Sequence, residues 1–189
     1  MAQPAKRRCL SRTPRNILLI GLRGSGKSTI GPEIAARLGR QFIDLDPVTL
    51  WRLGAASVAE AWREHGEAAF RAAEAAALRD ALENPERVIA AGGGTPTAPG
   101  AAELIQERRD GGLTFVVYLR EMPGILRERL AEAGGVADRP SLTGGDPLDE
   151  IEEVYTQRDA LYRSLASQVV EGAASAEGAV DLIVAAVSA

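Results

Sequence analysis

The chain has 189 residues, 46% of them apolar and 25% charged, with a formal net charge of -4. That length suffices for one domain with a real core, and the acidic balance argues against a nucleic-acid-binding body. No apolar run approaches the ~20 residues of a membrane span, and a single cysteine, Cys9, excludes an internal disulfide framework.

Charge is unevenly placed. Lys6, Arg7, Arg8, Arg12 and Arg15 open the chain with no acid among them. Residues 1–15 therefore read as a basic, disordered tail ahead of one domain at 16–189. The start lacks the apolar stretch of a secretory signal, so a cytoplasmic location is expected. A monomer with no nucleic-acid or membrane partner is the expectation.

Asn16–Ile20 reads as a buried strand ended by Gly21, and a helix should follow over Lys27–Leu38 with Gly39 as its stop. Gln41–Leu45 reads as a second strand. Ser57 and Glu60 have capping-box spacing and open a helix to about His65. Glu67–Leu82 is alanine-rich and helical. Arg87–Ala91 reads as a strand that runs into Gly92-Gly93-Gly94, and Ala101–Arg109 as a helix. Leu113–Leu119 is a continuous apolar run, expected to be a strand buried on both faces. Helices are expected at Pro123–Glu132 and Leu148–Leu165, a weak strand at Gln168–Glu171 and a last helix at Glu177–Val187. Strands alternating with helices imply a parallel sheet covered on both faces, with the functional loops at the strands' carboxyl ends.

Gly21, Gly26, Lys27 and Ser28 satisfy the G-x4-G-K-[ST] pattern in a strand–loop–helix context. Glycines let the backbone curl until several N–H groups face one phosphate chain, and the helix adds its positive end. Lys27 would reach the outer phosphates and the Ser28 hydroxyl would ligate magnesium. Of 22 basic residues only Lys6 and Lys27 are lysine, so a lysine at this position is not the chain's default cation. A guanidinium does not replace a compact ammonium in a tight phosphate cradle.

Asp44 and Asp46 follow at the end of the second strand. On an extended segment two carboxylates at i and i+2 face the same way. One can hold magnesium through water, and the other can accept a hydrogen bond from an attacking hydroxyl. The bland alternative is a turn that caps the helix after Pro47. Arg71 lies between Glu67 and Glu74 at i-4 and i+3, spacings that hold a guanidinium in one orientation for a ligand carboxylate. Arg158, four before Tyr162, is a second cation for an anionic substrate or a partner for Glu150–Glu153. Residues 133–146 hold two glycine pairs around Arg139-Pro140, the composition of a mobile lid carrying one cation. His65 reads as structural, and Trp51 and Trp62 as core or pocket wall.

Taken in order, the loop Gly21–Thr29, Asp44-x-Asp46, Gly66-Glu67-x-x-Phe70-Arg71-x-x-Glu74, Gly92-Gly93-Gly94, Arg139-Pro140 and Arg158 with Tyr162 resemble the shikimate kinase family over about Asn16 to Ala166. The resemblance implies a P-loop kinase fold: three α/β/α layers, a five-stranded parallel sheet in the order 2-3-1-4-5, and a mobile lid. It implies transfer of the ATP γ-phosphoryl group to the 3-hydroxyl of shikimate, a step towards aromatic amino acids, with Mg2+ as cofactor. Carried over by position, Gly24, Ser25, Gly26, Lys27, Ser28, Thr29 and Arg139 bind ATP, and Ser28 and Asp44 serve the metal. Asp46 binds the acceptor hydroxyls and is the candidate base. Arg71 and Arg158 hold the shikimate carboxylate, and Gly93 and Gly94 line that site. Lys27, Asp46 and Arg139 form the catalytic set. The chain departs from the family pattern at Ser141 in the lid, at Ala160 where proline is common, and in a longer segment before the lid. Arg127 and Arg129 are both candidates for an adenine contact. The competing readings are another small-molecule kinase of this architecture, acting on gluconate or a nucleoside monophosphate, and a non-catalytic nucleotide-binding module.

Overall fold

The apolar run Asn16–Ile20 forms strand β1 with all its residues buried, as a strand covered on both faces must be. Around it, a computed structural model of the chain describes residues 14–132, 150–172 and 175–188. The elements after β1 are α1 (Lys27–Leu38), β2 (Gln41–Asp44), α2 (Leu45–Leu53), α3 (Val58–Glu83), β3 (Arg87–Ala90), α4 (Ala101–Asp110), β4 (Thr114–Arg120), α5 (Pro123–Glu132), α6 (Glu150–Leu165), β5 (Gln168–Glu171) and α7 (Ala176–Ser188). The five strands make one parallel sheet in the order β2-β3-β1-β4-β5. The tail at 1–15 falls almost wholly, and the lid at 133–146 wholly, outside the described residues.

The period of two along each strand divides the core into two layers. Leu18 and Ile20 of β1, with Val116 and Tyr118 of β4, face Leu78, Leu82, Ile105, Tyr162 and Leu165 from α3, α4 and α6. Ile17, Leu19, Val117 and Leu119 face Ile30, Ile34, Val180 and Ile183 from α1 and α7. Both faces are thus covered by helices, the three-layer arrangement expected of an all-parallel sheet. Asn16 is the polar exception in β1. Its side-chain amide donates to Leu82 O and its carbonyl oxygen accepts from the Arg87 N–H, so the buried amide ties β1 to α3 and β3.

Local chemistry explains most boundaries. Ser57 caps α3 by accepting the Glu60 N–H at 3.1 Å, while Glu60 accepts the Ala56 N–H at 2.6 Å. The two helices expected on either side of Gly66 are continuous except for that glycine, whose φ of 78° and ψ of 163° bend the run. The second strand is shorter than its apolar pattern suggests. Leu45 leaves it because Asp44 caps α2, accepting the Asp46 N–H at 3.0 Å. The pair Asp44 and Asp46 therefore does not sit on one extended segment: Asp44 ends β2 and Asp46 lies in the first helical turn. Trp51 is also misjudged by composition, since on α2 it is 81% exposed and neither core nor pocket wall. Ala160 falls inside an unbroken α6, on its exposed side. A proline there would remove a helical hydrogen bond, and alanine keeps the helix whole.

Candidate active site

The turn after β1 is shaped by three glycines with positive φ, Gly21, Gly24 and Gly26. At Gly21 there is also no room for a side chain: a Cβ would lie 2.6 Å from Leu119 O. Gly26 is the N-cap of α1, so the loop delivers its N–H groups to the positive end of that helix. Lys27 is only 8% exposed. Its ammonium donates to Gly21 O, Leu22 O and Ser25 Oγ at 2.8, 2.9 and 3.2 Å, which spans the loop from inside. Gly24, Ser25, Gly26, Ser28 and Thr29 line a cavity of about 450 Å³ together with Asp44, Asp46 and Gly93.

Ser28 Oγ donates to Asp44 Oδ2 at 2.5 Å, while Asp44 Oδ1 takes the α2 cap. Asp44 thus makes the helix cap that the sequence left as the bland alternative, and its other oxygen meets the loop hydroxyl of Ser28. The Ser28–Asp44 pair is a set of hard oxygen donors at the phosphate end of the cavity. Among the described residues no group of three or more His, Cys, Asp or Glu could hold a metal. These donors fit magnesium, which takes one or two protein oxygens and completes its shell with phosphates and water.

The glycine triplet joins the two halves of the site. A Cβ at Gly93 would sit 3.0 Å from the Arg23 backbone N, so this residue lies directly on the phosphate loop. Its carbonyl accepts Arg158 Nη1 at 3.0 Å and the Tyr162 hydroxyl at 2.8 Å. Gly92 leaves space for three acceptor-side oxygens, since a Cβ there would lie 2.5 Å from Asp46 Oδ1 and 2.9 Å from both Glu74 Oε1 and Thr95 Oγ1. A Cβ at Gly94 would overlap Arg71 Nη1 and lie 3.5 Å from Arg158 Nη1. The two guanidiniums therefore converge on Gly94.

Arg71 is held as its spacing predicts. Nη1 donates to Glu74 Oε2 at 2.8 Å, and Nε and Nη2 reach Glu67 Oε1 at 3.3 Å. Glu74 is buried and its other oxygen accepts Thr95 Oγ1 at 3.1 Å, so its charge is well compensated. The Arg71 guanidinium also lies over the Trp62 ring at 5.7 Å, and Trp62 packs half-buried against Val58, Ala61 and Phe70. Arg158 does not pair with Glu150–Glu153 in any described contact; it donates to Gly93 O and lines an open cleft with Arg71, Thr97 and Pro99.

Helix α6 is fastened where it carries Arg158. The next residue, Asp159, accepts the Tyr118 hydroxyl, Arg120 Nε and Arg163 Nε at 2.9, 2.8 and 2.9 Å. Burial works against the Asp159 charge, but these three donors outweigh it and hold its pKa below the ordinary carboxylate value. One turn on, burial pushes the Tyr162 phenol up to about 12, so it remains a donor to Gly93. Neither the clasp nor the tyrosine's role follows from spacing, because the partners lie 41 and 69 residues away.

Of the two arginines on α5, Arg129 lines the cavity beside the loop and donates to Gly24 O at 3.3 Å. The far wall is formed by Val170, Ser175, Ala176 and Ala179. Arg139 lies outside the described residues. His65 is exposed at the bend before Gly66.

A glycine loop that opens a helix, on the carboxyl edge of a parallel sheet in this order, defines a P-loop phosphotransferase of the small-kinase class. Comparison with known proteins narrows the class. The shikimate kinase family model matches residues 23–188, and the chain belongs to the shikimate kinase family. It is 39% identical over 158 residues to shikimate kinase 2 of Yersinia pestis (strain Pestoides F), covering 84% of this chain and 87% of that one. Shikimate kinase from Acinetobacter baumannii, solved in complex with shikimate, superposes with a TM-score of 0.82 at 29% identity, over 93% of this chain and 94% of that one. A gluconokinase from Sinorhizobium meliloti 1021 shares the fold alone, with a TM-score of 0.59 at 21% identity over 94% of this chain and 93% of that one.

Proposed function

We propose that this chain transfers the γ-phosphoryl group of ATP to the 3-hydroxyl of shikimate. The observation that carries the reading is the convergence of Arg71 and Arg158 on Gly94, while Gly93 rests on the phosphate loop and Asp46 lines the same cavity. A carboxylate is recognised by two oriented guanidiniums, and a hydroxylated ring anchored there is directed towards the phosphate loop.

The backbone N–H groups of Gly24–Thr29 and the Lys27 ammonium take the phosphates, and Arg129 lies beside the base. Ser28 and Asp44 would hold magnesium, which supplies charge neutralisation at the β- and γ-phosphoryl oxygens when bound. Asp46 accepts the hydrogen bond of the attacking hydroxyl and takes its proton as the new P–O bond forms and the bond from the γ-phosphorus to the bridging oxygen breaks, with ADP as the leaving group. Arg71 and Arg158 keep the acceptor carboxylate away from the negative phosphates. Arg139, which lies outside the described residues, is assigned by the family resemblance to the transferring phosphoryl group. A cytoplasmic location is supported by the lone cysteine; among the described residues no helix is long and apolar enough to cross a membrane.

Coupled ADP release tests the assignment. Purified protein with ATP and magnesium is expected to turn over with shikimate and not with gluconate or AMP. Turnover with gluconate alone would transfer the assignment to the kinase that shares only the fold, and no turnover with any acceptor would leave a nucleotide-binding module.

A further inference from the structure

One buried charge in the nucleotide cavity has no part in the chemistry above. Glu121 follows β4 and is 8% exposed, and it lines the cavity with Arg129. Its Oε2 has no hydrogen-bond partner among the described residues. Arg129 Nη2 faces that oxygen at 3.8 Å, and Arg129 Nη1 donates to the carbonyl of Gly24 in the loop. A carboxylate taken out of water is costly unless a cation compensates it. The cavity lining thus holds the loop N–H groups with Lys27 and, linked to Gly24 of the loop through Arg129, the carboxylate of Glu121. The adjacent Arg120 turns to Asp159 and the acceptor helix, so the two residues at the end of β4 serve opposite sides of the site.

We propose that Glu121 is a positioning residue of the nucleotide site: it holds Arg129 between itself and Gly24, across the nucleoside end of the cavity. Arg129 is half-exposed on a long flexible stem, and among the described residues Gly24 O is the other group that orients its guanidinium. Loss of Glu121 weakens the nucleotide and not the acceptor. This inference rests on the assignment of the cavity to ATP.

The test is calorimetric titration with ADP and magnesium, which needs no turnover. Glu121→Gln is nearly isosteric and keeps the packing, and Glu121→Leu serves as a second variant should the amide fold poorly. Either is expected to weaken ADP about fivefold, the factor that roughly 1 kcal/mol of ion-pair orientation gives, with shikimate affinity unchanged. Arg129→Ala should weaken ADP at least as much, and the double variant Glu121→Gln/Arg129→Ala no more than Arg129→Ala alone. Unchanged ADP affinity in both Glu121 variants overturns the proposal, as do additive losses in the double variant or an equal loss for shikimate. Wild-type protein that does not bind ADP refutes the nucleotide assignment itself, and this inference with it.

Discussion

Gly94→Ala adds one methyl group at the point where the two substrate cations meet. The backbone there has φ of -115° and ψ of -7°, which alanine adopts without strain. The consequence therefore lies in the side-chain contacts. The new Cβ overlaps Arg71 Nη1 and lies 3.2 Å from Arg71 Cζ. The guanidinium must retreat by roughly 1 Å to regain ordinary van der Waals separation, and its hydrogen bond to Glu74 goes with it. A charge-assisted hydrogen bond contributes about 1.5–3 kcal/mol, or about 10- to 150-fold in affinity. Initial rates at saturating ATP should show the KM for shikimate rising by about 10- to 100-fold with the KM for ATP little altered, and the melting temperature should fall as the buried Glu74 loses its partner. An unchanged KM for shikimate would falsify the placement of the acceptor carboxylate at Gly94. An equal rise for ATP would show that the methyl group disturbs the phosphate loop through Gly93 instead.

Three further outcomes are expected. Asp46→Asn removes the proton acceptor without changing side-chain volume, so kcat should fall by roughly 100-fold or more while ADP affinity, measured by titration, changes far less. Equal losses in both would mark Asp46 as structural. Asp159 has a lowered folded-state pKa, so its stabilisation is present above the unfolded-state value of about 3.9 and is lost as pH falls through the folded one. Melting curves of Asp159→Asn should show a smaller loss between neutral pH and about pH 3 than the parent shows, and parallel curves would refute the clasp. Tyr162, raised to about 12 by burial, contributes stability that is fully present below the unfolded-state value of about 10 and is lost as pH rises through the folded one. Absorbance titration should show two phenols ionising late, Tyr118 and Tyr162, and Tyr162→Phe should remove one of those two steps.

Much of this protein is legible in its sequence because the relevant forces are local. A strand covered on both faces is a continuous apolar run, a helix start needs its cap within a few residues, and the phosphate loop is one short segment whose glycines and lysine act on the same ligand. Arg71 is equally local, since Glu67 and Glu74 lie within one turn of it on either side. The sequence pattern accordingly predicts most of the elements and a parallel sheet, whereas the strand order follows only from the family resemblance and α2 is not foreseen in chain order. The readings that failed are those in which the environment is non-local. Trp51 is apolar and aromatic, yet on α2 it is exposed among the described residues. Asp44 and Asp46 look like two teeth of one strand, but the cap formed by Asp44 starts a helix between them. The choice of Arg129 over Arg127, the Asp159 clasp and the burial of Glu121 depend on which side chains from distant segments share a surface. Spacing says that Lys27 sits in a glycine loop. Only the packed sheet, which carries Gly93 onto that loop and Arg158 onto Gly93 from 65 residues away, brings the donor and the acceptor into one site. The physical reason is that a hydrogen-bonded turn is specified by its own residues, whereas a site assembled from five strands' ends is specified by the core that aligns them.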